Sequence, residues 1–185
     1  KGICRGNFYD GVGTLNDMFQ SHLLQFLAAV TMEGPSGPTE DVGPRRLGAL
    51  RSIRRMSKEE IQSSAYLGQY TDGSVNGQTV PAYQSIPGVK ENSRTETLAA
   101  LKGELDGGRL AGVPFLMISG KGLPEKKTCI KIDFKALSPA FFMRLSSVAP
   151  DIAAKVTDPR NTPATLEVSM EAETKLQLKI GSDVL

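Results

Sequence analysis

A chain of 185 residues is long enough to bury one substantial hydrophobic core, and a net charge of +2, with basic and acidic residues interspersed, provides no stripe for a nucleic acid or a membrane surface. Aromatic residues make up 6% and tryptophan is absent, which argues against a base-stacking platform. No apolar run reaches the roughly 18 residues of a membrane span, and a lone histidine with two distant cysteines, Cys4 and Cys129, lacks paired metal-ligand spacing.

The chain opens on Lys1-Gly2-Ile3-Cys4-Arg5 without an initiator methionine, so it is expected to be a piece of something longer, with any targeting information upstream. Spacing leaves a Cys4–Cys129 disulfide open; reduced cysteines in a cytosolic protein are the plainer expectation. Thr14-Leu15-Asn16-Asp17 fits a capping pattern, a hydroxyl followed three residues later by an acid. Leu15, Met18, Phe19, Leu23, Phe26, Leu27 and Val30 then recur at helical spacing and predict a wide buried face. Gly34-Pro35-Ser36-Gly37-Pro38 ends that helix. A shorter basic helix is expected from about Pro44 to Met56, and Ser57-Lys58-Glu59-Glu60 is set to cap another turn.

From Ala65 the pattern changes to strands. Ala65–Tyr70, Thr95–Leu105, Val113–Ser119 and Thr128–Phe134 have strand character, the last alternating Cys129, Lys131 and Asp133 against Ile130, Ile132 and Phe134. The stretches Thr71–Asn92 and Pro150–Pro163 read as loops, and Pro139–Ser147 as a short helix. Thr165–Met170 and Lys175–Ile180 form two strands joined around Ala172-Glu173-Thr174. Helices followed by sequential strands, with connections too short for regular crossovers, predict an α+β fold with a largely antiparallel sheet.

A lone histidine on an apolar helix, such as His22, is more often structural than catalytic. Asp17 stands five positions earlier, about 500° around an α-helix and so about 140° away, which excludes a simple i,i+4 pair. Both side chains can still converge on a ligand over the first turns, and spacing alone leaves the matter open. Gly11-Val12-Gly13 lacks the third glycine and the preceding strand of a phosphate loop, so it reads as a turn. Ser119-Gly120-Lys121 lacks the upstream glycine of a Walker loop and reads as a strand end carrying a lysine. Lys121, Lys126 and Lys127 are suited to an anionic ligand, although exposed lysines around a turn are commoner.

Taken together the segments carry more. Arg5-Gly6-Asn7-Phe8-Tyr9-Asp10 runs through Gly13 and Asn16-Asp17 to His22-Leu23-Leu24-Gln25, ending near Met32-Glu33. Arg51-Ser52-Ile53-Arg54, Gly68-Gln69-Tyr70, Arg94-Thr95-Glu96-Thr97, Ala111-Gly112-Val113-Pro114-Phe115 and Ser119-Gly120-Lys121 follow in order. This succession resembles the substrate-binding, C-terminal portion of the glucose-6-phosphate dehydrogenase family, well over residues 5 to 135 and weakly over 164 to 180. The resemblance implies oxidation of glucose 6-phosphate to 6-phosphogluconolactone with NADP in the pentose phosphate pathway. It implies His22 as general base toward the anomeric hydroxyl, Asp17 as a sugar contact, and Lys121 and Lys126 as substrate-binding cations. Lys126 stands where some members carry arginine, keeping the charge without the bidentate fork. Glu171 falls where some members place a substrate-contacting glutamine.

The same resemblance places the NADP-binding Rossmann domain outside residues 1–185, so NADP is expected to be bound mainly there and this piece alone to be inactive. It also implies a cytoplasmic enzyme and a homo-oligomer built through the sheet, with no nucleic-acid or membrane partner. A second, structural NADP is not expected, although Lys127, Lys131 and Lys179 fall at basic positions of that site. Departures from the family pattern are Asn16 before Asp17, Ser21 before His22, and Gly107-Gly108-Arg109-Leu110. The competing implications are a hexose-6-phosphate dehydrogenase of the secretory pathway and a non-catalytic fragment acting in assembly.

Overall fold

The computed structural model describes residues 6–135, 138–156, 158–159, 161–171, 173–180 and 183–184. Cys4, Arg5 and Ala172, which figured in the sequence reading, lie outside the described residues; Cys129 is an exposed free cysteine. The chain divides into two compact units, Lys1–Pro124 and Glu125–Leu185, each with its own hydrophobic cluster where length alone led to an expectation of one. No helix among the described residues is long and apolar enough to cross a membrane.

The first unit begins with a single helical turn, α1 (Gly6–Tyr9). A π-helical segment (Leu15–Leu23) follows and runs directly into α2 (Leu24–Thr31). Then come α3 (Gly43–Arg51) and α4 (Lys58–Ser64). Ser57 caps α4 as its sequence suggests: its side chain accepts from the Glu60 N–H, and Glu60 reaches back to the Ser57 N–H. Strands β1 (Ala65–Gly68), β4 (Leu98–Glu104) and β5 (Pro114–Gly120) form an antiparallel sheet in the order β1-β4-β5. Between β1 and β4, the stretch read as loop contains a small hairpin, β2 (Gly73–Val75) and β3 (Gln78–Val80), closed by Asn76-Gly77. Both turn residues have positive φ, 51° and 77°, the geometry for which Asn-Gly is the strongest short signal.

Register explains which face of this sheet is covered. Tyr66, Ala100 and Ile118 lie abreast on one face; Leu67, Ala99 and Ser119 lie abreast on the other, with Leu101 and Met117 paired further along. Phe19 of the π segment packs on Ala99 and Met117, with Met18, Leu23, Leu24, Leu27, Leu101 and Phe115 around them. Phe19, 4% exposed, is worth about 1.5–3 kcal/mol at ordinary burial values. The opposite face leaves Tyr66, Leu116 and Ile118 exposed.

The second unit is a meander, β6 (Cys129–Phe134), β7 (Ala164–Met170), β8 (Thr174–Ile180) and β9 (Asp183–Val184), every ladder antiparallel. Helices α5 (Pro139–Val148) and α6 (Pro150–Ala153) are inserted between β6 and β7. Leu145 and Ala153 from the helices meet Ala164 and Ile180 from the sheet. The expected α+β class with antiparallel pairing is what the structure contains.

Candidate active site

The helix that carries His22 and Asp17 starts differently from its sequence signature. Thr14 makes no side-chain cap to the following turn. Its hydroxyl instead shares a 2.5 Å hydrogen bond with the Tyr9 phenol and donates to the Glu96 carbonyl at 3.2 Å. The orphan N–H of Leu15 is met from across the fold, donating to Glu96 Oε1 at 2.9 Å. Gly13, at φ +70°, makes this approach possible, since a Cβ there would stand 2.5 Å from the same oxygen. A carboxylate therefore occupies the helix end where a phosphate loop would hold its anion, and Gly11-Val12 before it is a plain turn. These residues do not fit a dinucleotide cradle.

From Leu15 to Leu23 the helix takes the wider i→i+5 register, with the Leu24 N–H donating to the Phe19 carbonyl and Ser21 Oγ to the Asn16 carbonyl. This corrects the α-helical estimate that set Asp17 and His22 about 140° apart. In a π turn residues five apart lie closer around the axis than in an α-helix, so Asp17 and His22 are nearer to a common face than the α-helical count allows. Such turns are rare in proteins and concentrate at functional sites. His22 is exposed, and its ring has no hydrogen bond among the described residues. Two of the three departures from the family pattern lie here: Asn16 Nδ2 donates to the Val12 carbonyl at 2.9 Å, and Ser21 Oγ donates to the Asn16 carbonyl at 3.2 Å.

Lys121 reaches the same place from the sheet. It follows β5, its N–H donates to the Thr97 carbonyl at 2.8 Å, and Gly122 at φ +69° turns the chain away. Its Nζ lies 3.8 Å from Asp17 Oδ2 and 4.8 Å above the centre of the Tyr9 ring. Thr97 is wholly buried and binds in three directions: its N–H donates to Gly68 O, its Oγ1 accepts from the Tyr70 N–H, and its carbonyl holds Lys121.

Beneath this site is a buried carboxylate that the sequence did not single out. Asp10 accepts from the Ser93 hydroxyl, from Tyr83 Oη at 3.2 Å and from the Lys90 N–H at 3.2 Å. The Ser93 hydrogen bond chiefly, helped by those from Lys90 and Tyr83, holds the Asp10 carboxyl below its ordinary pKa despite the opposing effect of burial. Tyr83 in turn packs edge-on against Tyr9 and Tyr70. Tyr9, Glu96 and Thr97 all lie inside quoted motifs, but only their contacts reveal what they do.

The remaining predicted cations belong to the second unit. Lys126 lines a cleft of about 330 Å³ with Thr128, Met170 and Glu171. This brings Lys126 and Glu171, matched to the family separately, to one pocket. Lys127 is engaged elsewhere: it pairs with Glu167 at 2.6 Å, and Lys179 joins the same carboxylate at 3.3 Å. Hydrogen bonds from Lys127 first and Lys179 second hold the Glu167 pKa below its usual value. Lys131 pairs with Asp133 at 3.6 Å.

Helices covering one face of an antiparallel sheet define an α+β domain, with Asp17 and Lys121 paired at 3.8 Å and an exposed His22 on the helix that carries Asp17. The family model described as glucose-6-phosphate dehydrogenase, C-terminal domain, matches residues 2–182. Glucose-6-phosphate 1-dehydrogenase of Aggregatibacter actinomycetemcomitans is 42% identical over 71% of this chain and 27% of its own length. The chloroplastic glucose-6-phosphate 1-dehydrogenase 3 of Arabidopsis thaliana is 33% identical over 97% of this chain and 28% of its own. A solved glucose-6-phosphate dehydrogenase in complex with its substrate glucose-6-phosphate matches 95% of this chain and 32% of that one, with a TM-score of 0.70 and 29% identity. The chain belongs to the glucose-6-phosphate dehydrogenase family and corresponds to its C-terminal domain. It spans between a quarter and a third of the length of these relatives.

Proposed function

We propose that this chain is the substrate-binding portion of a glucose-6-phosphate dehydrogenase, which oxidises glucose 6-phosphate to 6-phosphogluconolactone. NADP, which would be held by a domain outside these residues, would supply the acceptor for the hydride that leaves C1 of the sugar. His22 takes the proton of the C1 hydroxyl onto a ring nitrogen as that hydride departs. Asp17 accepts hydrogen bonds from sugar hydroxyls, and Lys121 and Lys126 supply positive charge and donors to the substrate. Self-association through the sheet is part of the same reading, supported by Tyr66, Leu116 and Ile118 exposed on the outer face of β1-β4-β5.

The observation that supports the assignment is Asp17, which stands 3.8 Å from Lys121 Nζ on the same wide helical segment that carries His22. An imidazole is the side chain best suited to proton transfer near neutrality, and a positioned base is worth about 10²–10⁴ in rate. His22→Asn in the full-length enzyme is therefore expected to lower kcat by at least about 10², with KM for glucose 6-phosphate little changed. Near-normal turnover in that variant removes His22 from the role.

A further inference from the structure

We propose that Tyr9 is a positioning residue: the face of its ring holds the Lys121 ammonium where the substrate meets it. This rests on the reading of Lys121 as a substrate contact.

Lys121 is tethered at its backbone, where its N–H donates to Thr97, but four flexible carbons separate that tether from the charge. The Asp17 carboxylate stands 3.8 Å from Nζ, well beyond the roughly 2.7–2.9 Å of a charge-assisted hydrogen bond. At that distance the pair attracts but does not fix a direction. Below the ammonium lies the Tyr9 ring, its centre 4.8 Å from Nζ and inside the roughly 6 Å range of a cation–π contact.

The ring is a rigid floor. Tyr9 is 3% exposed, its phenol shares a hydrogen bond with Thr14, and Tyr83 meets it edge-on at 6.2 Å. The next residue, Asp10, is fixed by Ser93, Tyr83 and the Lys90 N–H. A ring face also has a chemical advantage over a hydrogen-bonding holder. It orients the ammonium by its quadrupole and accepts no conventional hydrogen bond, leaving the three N–H donors to Asp17 and the ligand. In this arrangement the phenol anchors the ring and the face positions the lysine, so the two functions are separable by substitution.

The test uses steady-state kinetics of the full-length enzyme with glucose 6-phosphate. Tyr9→Leu removes the face and is expected to raise KM by roughly 3- to 30-fold with kcat held within about twofold. Tyr9→Phe retains the face and should bring KM back to within about threefold of the parent. In a Lys121→Met background, Tyr9→Leu should add no further rise, because there is no charge left to hold. Should the leucine variant fail to fold, phenylalanines of increasing fluorination at position 9 keep the shape while draining the face, and KM should climb with fluorine content. Equal KM rises for Phe and Leu, a full extra rise in the Lys121→Met background, or a flat fluorination series would each overturn the proposal for Tyr9 alone. If Lys121→Met itself leaves KM unchanged, the substrate-contact reading falls and the role of Tyr9 falls with it.

Discussion

Gly13→Ala tests whether Glu96 sets the start of the helix on which the candidate chemistry depends. Two costs follow from the structure. Gly13 sits at φ +70°, and an L-residue in the left-handed region costs about 1–2 kcal/mol. The new Cβ would also stand 2.5 Å from Glu96 Oε1 and 2.8 Å from its Cδ, so the carboxylate must swing away. That movement breaks its 2.9 Å bond to the Leu15 N–H. The bond is solvent-exposed, so it is worth less than the roughly 1.5–3 kcal/mol usual for a charged acceptor, about 1 kcal/mol. The sum is about 2–3 kcal/mol, read as a loss of several degrees in the melting temperature of the full-length enzyme. Glu96→Ala alone should cost about 1 kcal/mol, as lost caps do. Once Glu96 is truncated there is nothing left to collide with, so the double variant should be less destabilised than the sum of the singles by about 1 kcal/mol. Strictly additive losses would refute the account of Glu96 as cap and neighbour. Gly13→Ala should also depress kcat, because Asp17 and His22 take their positions from that first turn; full activity at reduced stability would separate the helix start from the site.

Lys121→Ala should raise KM for glucose 6-phosphate by about tenfold with kcat nearly preserved, as expected when binding is lost equally from ground and transition states; a selective kcat loss would mean a role in the chemical step. Asp10 has its folded-state pKa depressed below the ordinary 3.8, so its stabilising effect is complete above that value and is lost as pH falls through the folded-state pKa. Asp10→Asn should accordingly cost about 1–3 kcal/mol at neutral pH and flatten the acid arm of the stability curve, measured by thermal unfolding from pH 7 down to about 3. An unchanged acid slope would dismiss Asp10 as a contributor. Deleting Gln20, an exposed residue of the wide turn, should convert i→i+5 bonding to i→i+4 while leaving Asp17 and His22 neighbours, so kcat should stay within about tenfold of the parent. In an ordinary α-helix the same deletion would swing His22 about 100° relative to Asp17, and a collapsed kcat in a folded variant would show that the register is α-helical.

Most of the fold was legible because local chemistry and global structure agree. Ser57 and Glu60 cap α4 in the way their spacing implies, and the alternation from Cys129 to Phe134 becomes β6 within a residue. The hairpin at Asn76-Gly77 was missed for a physical reason: its strands are three residues each, too short to show a period. The helix bearing His22 starts after Thr14 as its sequence implies, but the cap is made differently. Thr14 and Asp17 have the capping spacing, yet Thr14 turns to Tyr9 and Glu96, and the cap for Leu15 comes from 81 residues away. No window along the chain contains that partner, so only the tertiary structure could name it.

The angle between Asp17 and His22 was lost to a single assumption about helical pitch. Apolar spacing from Leu15 to Val30 is broad enough to satisfy an α-helix, and it implied that Leu15 faces the core; Leu15 is 37% exposed, while Leu24, absent from the expected stripe, packs on the cluster around Phe19. The position of Leu24, five residues after Phe19 and bonded to its carbonyl, follows from the wide turn. Each i→i+5 bond adds a residue to the turn, so positions on either side of it are rotated relative to the α-helical count. One visible trace existed in the sequence: Asp17 and His22 are five positions apart, an interval that lies closer to one face in a π turn than in an α-helix. A polar pair at that spacing on an otherwise apolar helix is therefore informative when chemistry requires the two groups to cooperate, because the pitch must then yield to the function.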